Sequence, residues 1–375
     1  MSYAQLRQRI ILEIPFNNLN IKHNKYKREF LEIFLSNLTT GDFVLGQNVD
    51  IFEDNFREFV NAKYAIGVAN GSDALRISIS VKNFQTGSSI SLAANTYFAA
   101  AASIIHAGHK PVFFDVQLDT RFPSAKDIES TLSKDTVAVI KSHLFGDADT
   151  IELNTLTEIH DCSQAHGTLV NGKHVGSGKL STFSFYPGKN LGALGDAGII
   201  TTDSEEEYRL VKAMRNQGTS KDRYVHEYVG FNSRLDSIQA GILIFKLKKL
   251  IEENNERRKI AQRYIENLSN QSSSIKLFPT RKQITSTYHL FQVYIEREDL
   301  THIQGKLQKY GVSTGRHYPT PLHLQPAFRK LGYAKGDFPN SEKLAKHSLS
   351  LPIFPEMLDA EIDYVCEQLI RVVNL

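Results

Sequence analysis

The first 250 residues alternate between short apolar runs and amphipathic helical patterns. Phe52, Phe56 and Phe59 recur at helical spacing and predict an amphipathic helix. Strand-like runs and helical patterns then follow each other, at residues 64–69, 74–80, 89–92, 97–106, 111–114, 124–132 and 137–140, with further strand-like runs at 180–185 and 198–202. This alternation predicts an α/β domain with a mostly parallel sheet.

Other patterns flank this domain. The first forty residues predict an extended entry and then a helix over 25–38 that ends at a turn. A long helical pattern from 234 towards 251 runs into the charged stretch 252–259, which predicts a solvated helix linking two halves. Later patterns are typical of a smaller α+β domain, at residues 288–296, 303–310 and 358–373. We therefore predict two domains, 1–250 and 251–375.

The composition of the 375-residue chain is that of an ordinary globular protein, with 41% hydrophobic and 23% charged residues. Lys and Arg total 44 against 41 for Asp and Glu, so the bulk charge does not favour a nucleic-acid partner. Two cysteines exclude a disulfide scaffold and a multi-cysteine zinc site. We find neither a run of ~20 apolar residues nor a secretory signal, so we expect a cytoplasmic protein with no membrane partner.

Four short motifs carry residues suited to chemistry. The first, residues 70–73 (Asn-Gly-Ser-Asp), follows a strand-like run and starts a helical pattern. Its backbone N–H groups and the Ser72 hydroxyl suit an anion such as a phosphate, although the same residues also suit an ordinary helix cap. The second, residues 161–167, begins with a carboxylate near the end of a predicted strand, where parallel sheets build their sites. A surface turn is the alternative for that segment.

The third motif, residues 183–192, is the most specific. Its apolar strand breaks at Pro187 and Gly188, which puts Lys189 in a turn among small neighbours. A partly desolvated lysine has a lowered pKa and can act as a nucleophile or Schiff-base former. The alternative is a surface lysine in a glycine-rich loop. The fourth motif, residues 230–240, is a polar turn leading into the long helix, with residues suited to a cap.

Spacing excludes several other sites. Neither Gly178 nor Gly188 completes a P-loop, because the glycine five positions earlier and the following Ser or Thr are missing. The 13 histidines include no His-Glu-x-x-His arrangement. Residues 176–178 (Gly-Ser-Gly) lack the frame of a serine nucleophile elbow. The motifs therefore favour neither a nucleotide P-loop, nor a metal site, nor a serine hydrolase.

The order and spacing of these motifs resemble the DegT/DnrJ/EryC1/StrS family of sugar aminotransferases from Gly41 to the C-terminus. The segments that carry the resemblance are 70–75, 94–97 (Ala-Asn-Thr-Tyr), 142–146 (Ser-His-Leu-Phe-Gly), 161–167, 183–192 and 230–240. The resemblance implies a pyridoxal 5'-phosphate (PLP) enzyme with the aspartate-aminotransferase fold, PLP fold type I. In that fold, an α/β large domain with a mostly parallel, mixed sheet is joined to a smaller α+β C-terminal domain.

The resemblance also implies a role for each site residue. Lys189 forms the Schiff base with the cofactor and moves the proton during transfer. Asp161 faces the pyridinium nitrogen and keeps it protonated, so that the ring draws electrons from the reacting carbon. The other implied cofactor-binding residues are Gly71, Ser72 and Ser184 at the phosphate, Gln164 at the ring hydroxyl, Tyr97 stacked on the ring, and Asn232 from a neighbouring subunit. A homodimer with a shared active site is therefore expected.

Within the family, the sequence looks most like the branch that acts on dTDP-linked 3-keto-6-deoxyhexoses with glutamate as amino donor. That branch supplies 3-amino sugars for surface polysaccharides such as the O-antigen of lipopolysaccharide. A 4-keto sugar or a UDP- or GDP-linked substrate is the alternative. The substrate-facing residues that the resemblance implies are Tyr186, Arg316, His317, Tyr318 and His323. Alternatively, Pro319 and Pro321 simply mark a rigid loop in that segment.

The sequence departs from the family pattern in three places. Cys162 and Ser163 replace small apolar residues, and residues 1–9 match nothing in the family. The interval between His143 and Asp161 is several residues short, which predicts that a helix between two strands is shortened or lost.

Three rival functions remain. The first is a dehydratase of the same fold, which Lys189 argues against because such enzymes replace this lysine. The second is a cofactor-binding regulator, for which we find no basic recognition helix. The third is a purely structural α/β protein.

Overall fold

The computed structural model describes residues 12–153, 155–219, 222, 224–269, 271–296 and 299–374, so the departing segment 1–9 lies outside the described residues. The helices are α1 (Leu19–Lys25), α2 (Lys27–Thr40), α3 (Gln47–Val60), α4 (Gly71–Ser80), α5 (Phe98–His106), α6 (Ala125–Glu129), α7 (Glu205–Met214), α8 (Ser237–Leu247), α9 (Leu250–Leu268), α10 (Leu300–Lys309), α11 (Pro339–His347) and α12 (Asp359–Asn374). Among the described residues, no helix is both long enough and apolar enough to cross a membrane.

The strands are β1 (Tyr64–Val68), β2 (Ser89–Ala93), β3 (Lys110–Phe114), β4 (Thr136–Ser142), β5 (Thr157–Asp161), β6 (Leu169–Val170), β7 (Lys173–His174), β8 (Ser181–Ser184), β9 (Gly198–Thr202), β10 (Ile275–Leu277), β11 (Ile284–Thr285), β12 (Phe291–Ile295) and β13 (Ser348–Leu351). Two 3-10 helices, Leu322–Leu324 and Pro326–Leu331, precede α11.

A seven-stranded sheet forms the centre of the large domain, with the strand order β1-β9-β8-β5-β4-β2-β3. Strands β8, β5, β4, β2 and β3 pair in parallel, whereas β9 is antiparallel to both of its neighbours, β1 and β8. Every strand of this sheet except β9 therefore points the same way, and their carboxyl ends meet at one edge. The expected α/β domain with a mostly parallel, mixed sheet is confirmed.

Helices cover both faces of this sheet because its central strands are apolar on both sides. All residues of β2 are buried, as is typical of a parallel strand between two helical layers. Leu75 of α4 and Ile104 of α5 pack on one face. Phe52 and Phe56 of α3 pack on the other, where the rings of Phe56 and Phe183 lie 4.9 Å apart at their centroids. The amphipathic helix predicted from these phenylalanines is therefore α3.

A second core lies beyond residue 250, where the antiparallel sheet β10-β12-β13 packs against α9, α10 and α12 around Tyr264. Ile14 also belongs to this core, and its N–H donates to the carbonyl of Gly311 at 2.8 Å. We retain the division into domains 1–250 and 251–375 as a proposal, with the contact made by Ile14 as an exception to it.

Two helical predictions need correction. The pattern from 234 to 251 forms two helices, α8 and α9, rather than one. The charged stretch 252–259 belongs to α9 and is not a solvated linker, because Glu253, Asn254 and Arg257 are buried. The helix predicted over 25–38 is α2, which is preceded by the additional helix α1.

The segment between β4 and β5 contains no helix in its described residues, as the short interval from His143 to Asp161 predicted. Buried polar side chains hold the two strands together instead. His143 Nε2 lies 3.0 Å from Nδ1 of His160, and His160 Nε2 lies 3.2 Å from the carboxylate of Glu158. The N–H of Asp149 donates to the other ring nitrogen of His143 at 3.2 Å. The loss of the helix therefore leaves the pairing of β4 with β5 intact.

Candidate active site

A cavity of about 640 Å³ lies at the sheet edge where the parallel strands end. The turns after β1 and β8 and the last residue of β5 bring Gly71, Lys189 and Asp161 to its wall. Ligands of parallel sheets bind outside the carboxyl ends of the strands, so this cavity is the candidate site. Three motifs that are far apart in the sequence are thus brought together.

Lys189 lies in a tight turn after β8. Its N–H donates to the carbonyl of Tyr186 at 2.8 Å, and a Cβ on Gly192 would lie 2.4 Å from the carbonyl oxygen of Pro187. Within the described part of the chain, the Lys189 amine has no hydrogen bond and no ion pair. Burial lowers the pKa of Lys189 to about 8, although the charge of Asp161 opposes this effect. The neutral amine that a nucleophile requires is therefore accessible near neutral pH.

Asp161 is the last residue of β5 and is only 8% exposed. The N–H of Ser163 donates to one of its carboxylate oxygens at 3.1 Å. Burial raises the pKa of Asp161, while the hydrogen bonds from Ser163 and the charge of Lys189 lower it. A buried carboxylate on a cavity wall suits a protonated ring nitrogen, because a hydrogen bond to a charged group contributes about 1.5–3 kcal/mol.

The N-terminus of α4 forms another part of the wall. Asn70 caps this helix, because its side-chain oxygen accepts a hydrogen bond from the N–H of Asp73 at 2.8 Å. The cap is thus supplied by Asn70, and Gly71 and Ser72 lie on the cavity wall beside Ser184. A Cβ on Gly71 would come within 2.6 Å of the Ser184 Cβ, so glycine is required there. A helix N-terminus with a nearby hydroxyl favours a phosphate group.

Two tyrosines, Tyr97 and Tyr318, and the amide of Gln164 form another part of the wall. Gln164 donates from Nε2 to the Tyr318 hydroxyl at 2.7 Å and accepts from the N–H of Phe145 at 2.8 Å, which fixes the orientation of its amide. The rings of Tyr97 and Tyr318 lie 5.4 Å apart at their centroids. Burial raises the pKa of Tyr318, so its hydroxyl stays protonated and can donate a hydrogen bond to a ligand.

His317 and Phe16 line another part of the cavity. His317 Nδ1 lies 2.9 Å from the Ser350 hydroxyl, and its ring stacks on Phe16 at a centroid distance of 5.6 Å. Burial, helped by the charge of Lys189, lowers the pKa of His317 to about 4, so the ring is neutral. Asn17 and Tyr186 also line the cavity.

The structure corrects two of the predicted substrate residues. Arg316 donates to the carbonyl of Ala345 at 2.5 Å and does not line the cavity. The His323 side chain is fully buried, and its Nε2 lies 3.0 Å from the carboxylate of Glu342. Both side chains thus serve contacts inside the fold. Asn232 is exposed and outside the cavity of its own chain, so its expected contact with a second subunit stays a prediction.

Arg257 and His289 are among the wall residues that were not predicted from the sequence. Arg257 comes from α9, and His289 comes from the segment just before β12. Arg257 is in helical register with the apolar positions Ile260, Ala261 and Tyr264, so the buried stripe of α9 was a usable signal for it. His289 adjoins a strand-like run, and nothing in the sequence pattern distinguishes it from the other histidines.

These residues fit the groups of PLP. The cradle formed by Gly71, Ser72 and Ser184 suits its phosphate, and the buried carboxylate of Asp161 suits its ring nitrogen. The unpartnered amine of Lys189 suits its aldehyde. When bound, the cofactor supplies an electron-withdrawing ring next to the reacting carbon. Fold and site together therefore define a PLP-dependent enzyme that works through a lysine.

Comparison with known proteins agrees with this class. The sequence model of the DegT/DnrJ/EryC1/StrS aminotransferase family matches residues 24–370, and the chain belongs to this family. The enzyme class implied by the resemblance, a PLP-dependent sugar aminotransferase, is thereby confirmed, as are its fold and its cofactor.

Individual relatives align over nearly their whole length. A dTDP-3-amino-3,6-dideoxy-α-D-galactopyranose transaminase from Aneurinibacillus thermoaerophilus is 37% identical, over 96% of this chain and 99% of its own. A pleiotropic regulatory protein from Geobacillus stearothermophilus is 36% identical, over 96% of this chain and 98% of its own. The crystal structure of S. venezuelae DesV in complex with a ketimine intermediate has a TM-score of 0.93 and 29% identity, covering 97% of this chain and 99% of DesV.

Proposed function

We propose that the enzyme transfers the amino group of L-glutamate to the keto group of a nucleotide-linked 6-deoxyhexose, with a dTDP-3-keto-6-deoxyhexose as its substrate. The observation that carries the transfer function is the free, partly desolvated amine of Lys189 on the same cavity wall as Asp161. The dTDP-sugar part is supported by the name of the relative from A. thermoaerophilus. On the resemblance alone, we further propose that the product supplies a surface polysaccharide and that the enzyme acts in the cytoplasm.

In this proposal, the residues on the cavity wall have separate roles. Gly71, Ser72 and Ser184 hold the phosphate of the cofactor, and Asp161 keeps the proton on its ring nitrogen. With the cofactor bound, the Nζ atom of Lys189 would accept the proton from the α-carbon of the amino donor and later release it. The lowered pKa of Lys189 favours this cycle, because the same amine must both accept and release a proton near neutral pH.

We assign sugar binding to Tyr186, His317 and Tyr318 on the cavity wall. Tyr186 lines the cavity and is 60% exposed, and His317 and Tyr318 line the wall contributed by the small domain. A neutral imidazole and a phenol are both able to exchange hydrogen bonds with sugar hydroxyls. Arg316 and His323 are not part of this assignment, because the fold already uses both side chains.

We also propose that the enzyme is a homodimer whose active sites are shared. The helix α2 exposes an apolar row at Leu31, Phe34, Leu35 and Leu38, each between 43% and 58% exposed. Contiguous exposed apolar side chains typically mark an interaction surface. In such a dimer, Asn232 of one subunit contacts the cofactor phosphate in the cavity of the other.

A regulator without catalysis is the second candidate, because one relative of 36% identity is named a pleiotropic regulatory protein. The two candidates differ in what the cavity must do. A regulator needs the cofactor or sugar to bind, whereas an aminotransferase also needs the Lys189 amine for proton transfer. Turnover therefore distinguishes them, while binding alone does not.

The decisive experiment incubates the purified, PLP-loaded protein with L-glutamate and a panel of keto-sugar nucleotides. The panel varies the keto position between C3 and C4 and the nucleotide among dTDP, UDP and GDP. Mass spectrometry and NMR identify the products. We expect amination of the dTDP-linked 3-keto sugar. Amination of a 4-keto or UDP-linked sugar instead identifies the alternative substrate, and the absence of any amination by a PLP-loaded protein favours the regulator.

Lys189→Ala tests the central assignment in the same assay. The variant should fold and lose transamination, because no other amine replaces Lys189 on the cavity wall among the described residues. Lys179→Ala is the matched control, since the Lys179 side chain is 49% exposed and does not line the cavity. Retained turnover in Lys189→Ala would remove this lysine from the mechanism.

A further inference from the structure

Arg257 places a buried positive charge on the wall of the active-site cavity. The side chain is only 5% exposed, yet it lines the same cavity as Lys189 and His289. Burial lowers the pKa of Arg257 to about 10, with Glu253 and Glu356 raising it, so the guanidinium stays charged at neutral pH. The mechanism described above leaves this charge without a function.

Protein acceptors bind only some of the N–H groups of the Arg257 guanidinium. Its Nη1 donates to the carbonyl of Ile353 at 2.9 Å and, more weakly, to that of Tyr288 at 3.4 Å. Its Nε and Nη2 have no hydrogen-bond partner within the described chain. Neither Glu253 nor Glu356 forms an ion pair with it, and the carboxylate of Glu253 is bound to Lys22 instead.

Another buried arginine of this protein is paired with a carboxylate, as buried charges usually are. Arg215 is 4% exposed and forms an ion pair with Glu53. A buried charge without a counter-charge is costly, and it is normally paired or hydrogen-bonded. The guanidinium of Arg257 has no ion-pair partner within the described chain, and it lines a cavity. This is the arrangement expected for a residue that pairs with a bound anion.

The chemistry of the reaction limits which anion this is. The cofactor phosphate belongs at the helix N-terminus formed by Gly71 and Ser72. The diphosphate of a nucleotide sugar is attached at C1 and is separated from a C3 keto carbon by part of the hexose ring. The amino donor, in contrast, carries its α-carboxylate on the reacting carbon itself. Only this carboxylate must enter the deep part of the cavity together with the atoms that react at Lys189.

We propose that Arg257 is the residue that binds the α-carboxylate of the amino-acid donor. This inference rests on the proposed aminotransferase function and identifies how the same cavity selects its donor. Two adjacent N–H groups of a guanidinium match the two oxygens of a carboxylate, a geometry that the single ammonium of a lysine cannot reproduce. Arg257 thus orients the donor so that its α-hydrogen faces Lys189.

The test compares Arg257→Lys with Arg258→Lys in the PLP-loaded enzyme. Arg258 is the next residue on α9, is half-buried and donates to the carbonyl of Ser286 at 3.2 Å, but it does not line the active-site cavity. Calorimetry measures the binding of glutarate, an unreactive dicarboxylate. Rapid mixing measures the two half-reactions separately, first with L-glutamate and then from the aminated cofactor to the keto-sugar nucleotide.

Arg257→Lys should weaken glutarate binding and lower kcat/KM for the glutamate half-reaction by about tenfold or more. It should leave the half-reaction with the keto sugar unchanged, and Arg258→Lys should change none of the three values. Unchanged glutarate binding in Arg257→Lys overturns the proposal, and so does an equal loss in both half-reactions.

A crystal structure of the wild-type holoenzyme with glutarate gives an independent answer if Arg257→Lys does not fold. Glutarate with one carboxylate on the Arg257 guanidinium supports the proposal, and glutarate with neither carboxylate there overturns it. Failure of the proposed function looks different. In that case no keto-sugar nucleotide is aminated, while glutarate binding still depends on Arg257.

Discussion

The amide of Asn190 fixes the orientation of His289. Its NH2 group donates to the side chain of Asn254 at 2.8 Å and to the carbonyl of Thr287 at 3.1 Å, so its oxygen accepts from His289 Nδ1 at 3.1 Å. Nδ1 of His289 therefore carries the hydrogen, and Nε2 keeps its lone pair. Burial holds the pKa of His289 well below its usual value, so the ring is neutral.

This network makes Asn190 a link between the lysine turn and the small-domain side of the cavity. We expect Asn190→Ala to lower the free energy of unfolding by about 2–4 kcal/mol, because it leaves several buried polar groups without partners. Asn255→Ala, at an exposed position of α9, should change it by about 0.5 kcal/mol or less. Urea unfolding followed by circular dichroism measures both. Equal midpoints for the two variants would contradict the expected role of the network.

Asp161→Asn tests the contact with the ring nitrogen. An amide cannot hold the proton on that nitrogen as a carboxylate does, so kcat should fall by about ten- to a hundredfold. The PLP content, read from visible absorbance, separates this loss from weaker cofactor binding. Asp50→Asn, at an exposed position of α3, is the control. An unchanged kcat in fully loaded Asp161→Asn would refute the role of Asp161.

Gly71→Ala tests the phosphate cradle. The added methyl group would lie 2.6 Å from the Ser184 Cβ, so the helix start or β8 must shift. We expect PLP to bind about ten- to a hundredfold more weakly, as measured by titration of the cofactor-free protein. Gly305→Ala is the control, because an added Cβ there meets nothing within 4 Å. That variant should keep PLP affinity and gain about 0.5–1 kcal/mol of stability within its helix.

The lowered pKa of Lys189 predicts a pH-dependent stability of the cofactor-free protein. Below about pH 8 the amine is charged in both states, and its burial destabilises the fold. Between about 8 and the ordinary value of 10.5, the folded state has released a proton that the unfolded state still holds, so stability rises with pH. Lys189→Met should therefore be more stable than the wild type at neutral pH, by about 1–3 kcal/mol.

This advantage of Lys189→Met should shrink as the pH rises through that window. Denaturant unfolding at several pH values measures it, and Lys179→Met provides the comparison because its lysine is exposed. A difference between Lys189→Met and the wild type that stays constant with pH would show that the Lys189 amine is not desolvated.

Local patterns predicted most elements of the large domain. Residues 64–69 and 89–92 match β1 and β2 closely, because short apolar runs bounded by turns leave little freedom in the assignment. The sequence also predicts the turn that contains Lys189, because Pro187 and Gly188 end a strand directly before it. The chemistry of the central residue thus followed from local sequence and from the family resemblance.

Contacts between distant segments could not be obtained in this way. Arg316 and His323 were expected at the substrate, but their partners, Ala345 and Glu342, come from α11, which no local pattern places beside them. The charged stretch in α9 was misjudged for a related reason. The many charged residues of this stretch indicate a solvated helix. Arg257 is nevertheless buried, because it lies on the side of α9 that packs against the protein.

The contact between Phe16 and His317 joins the entry segment to the cavity wall. Ile14 pairs with Val312 in the small domain, so the entry segment is attached to the smaller body although it precedes the larger one in the chain. Phe16 also packs against the buried cluster formed by Phe122, Leu144, Phe145 and Leu290, and the first three belong to the large domain. The ring of Phe16 therefore connects His317 to the large domain as well as to the small one.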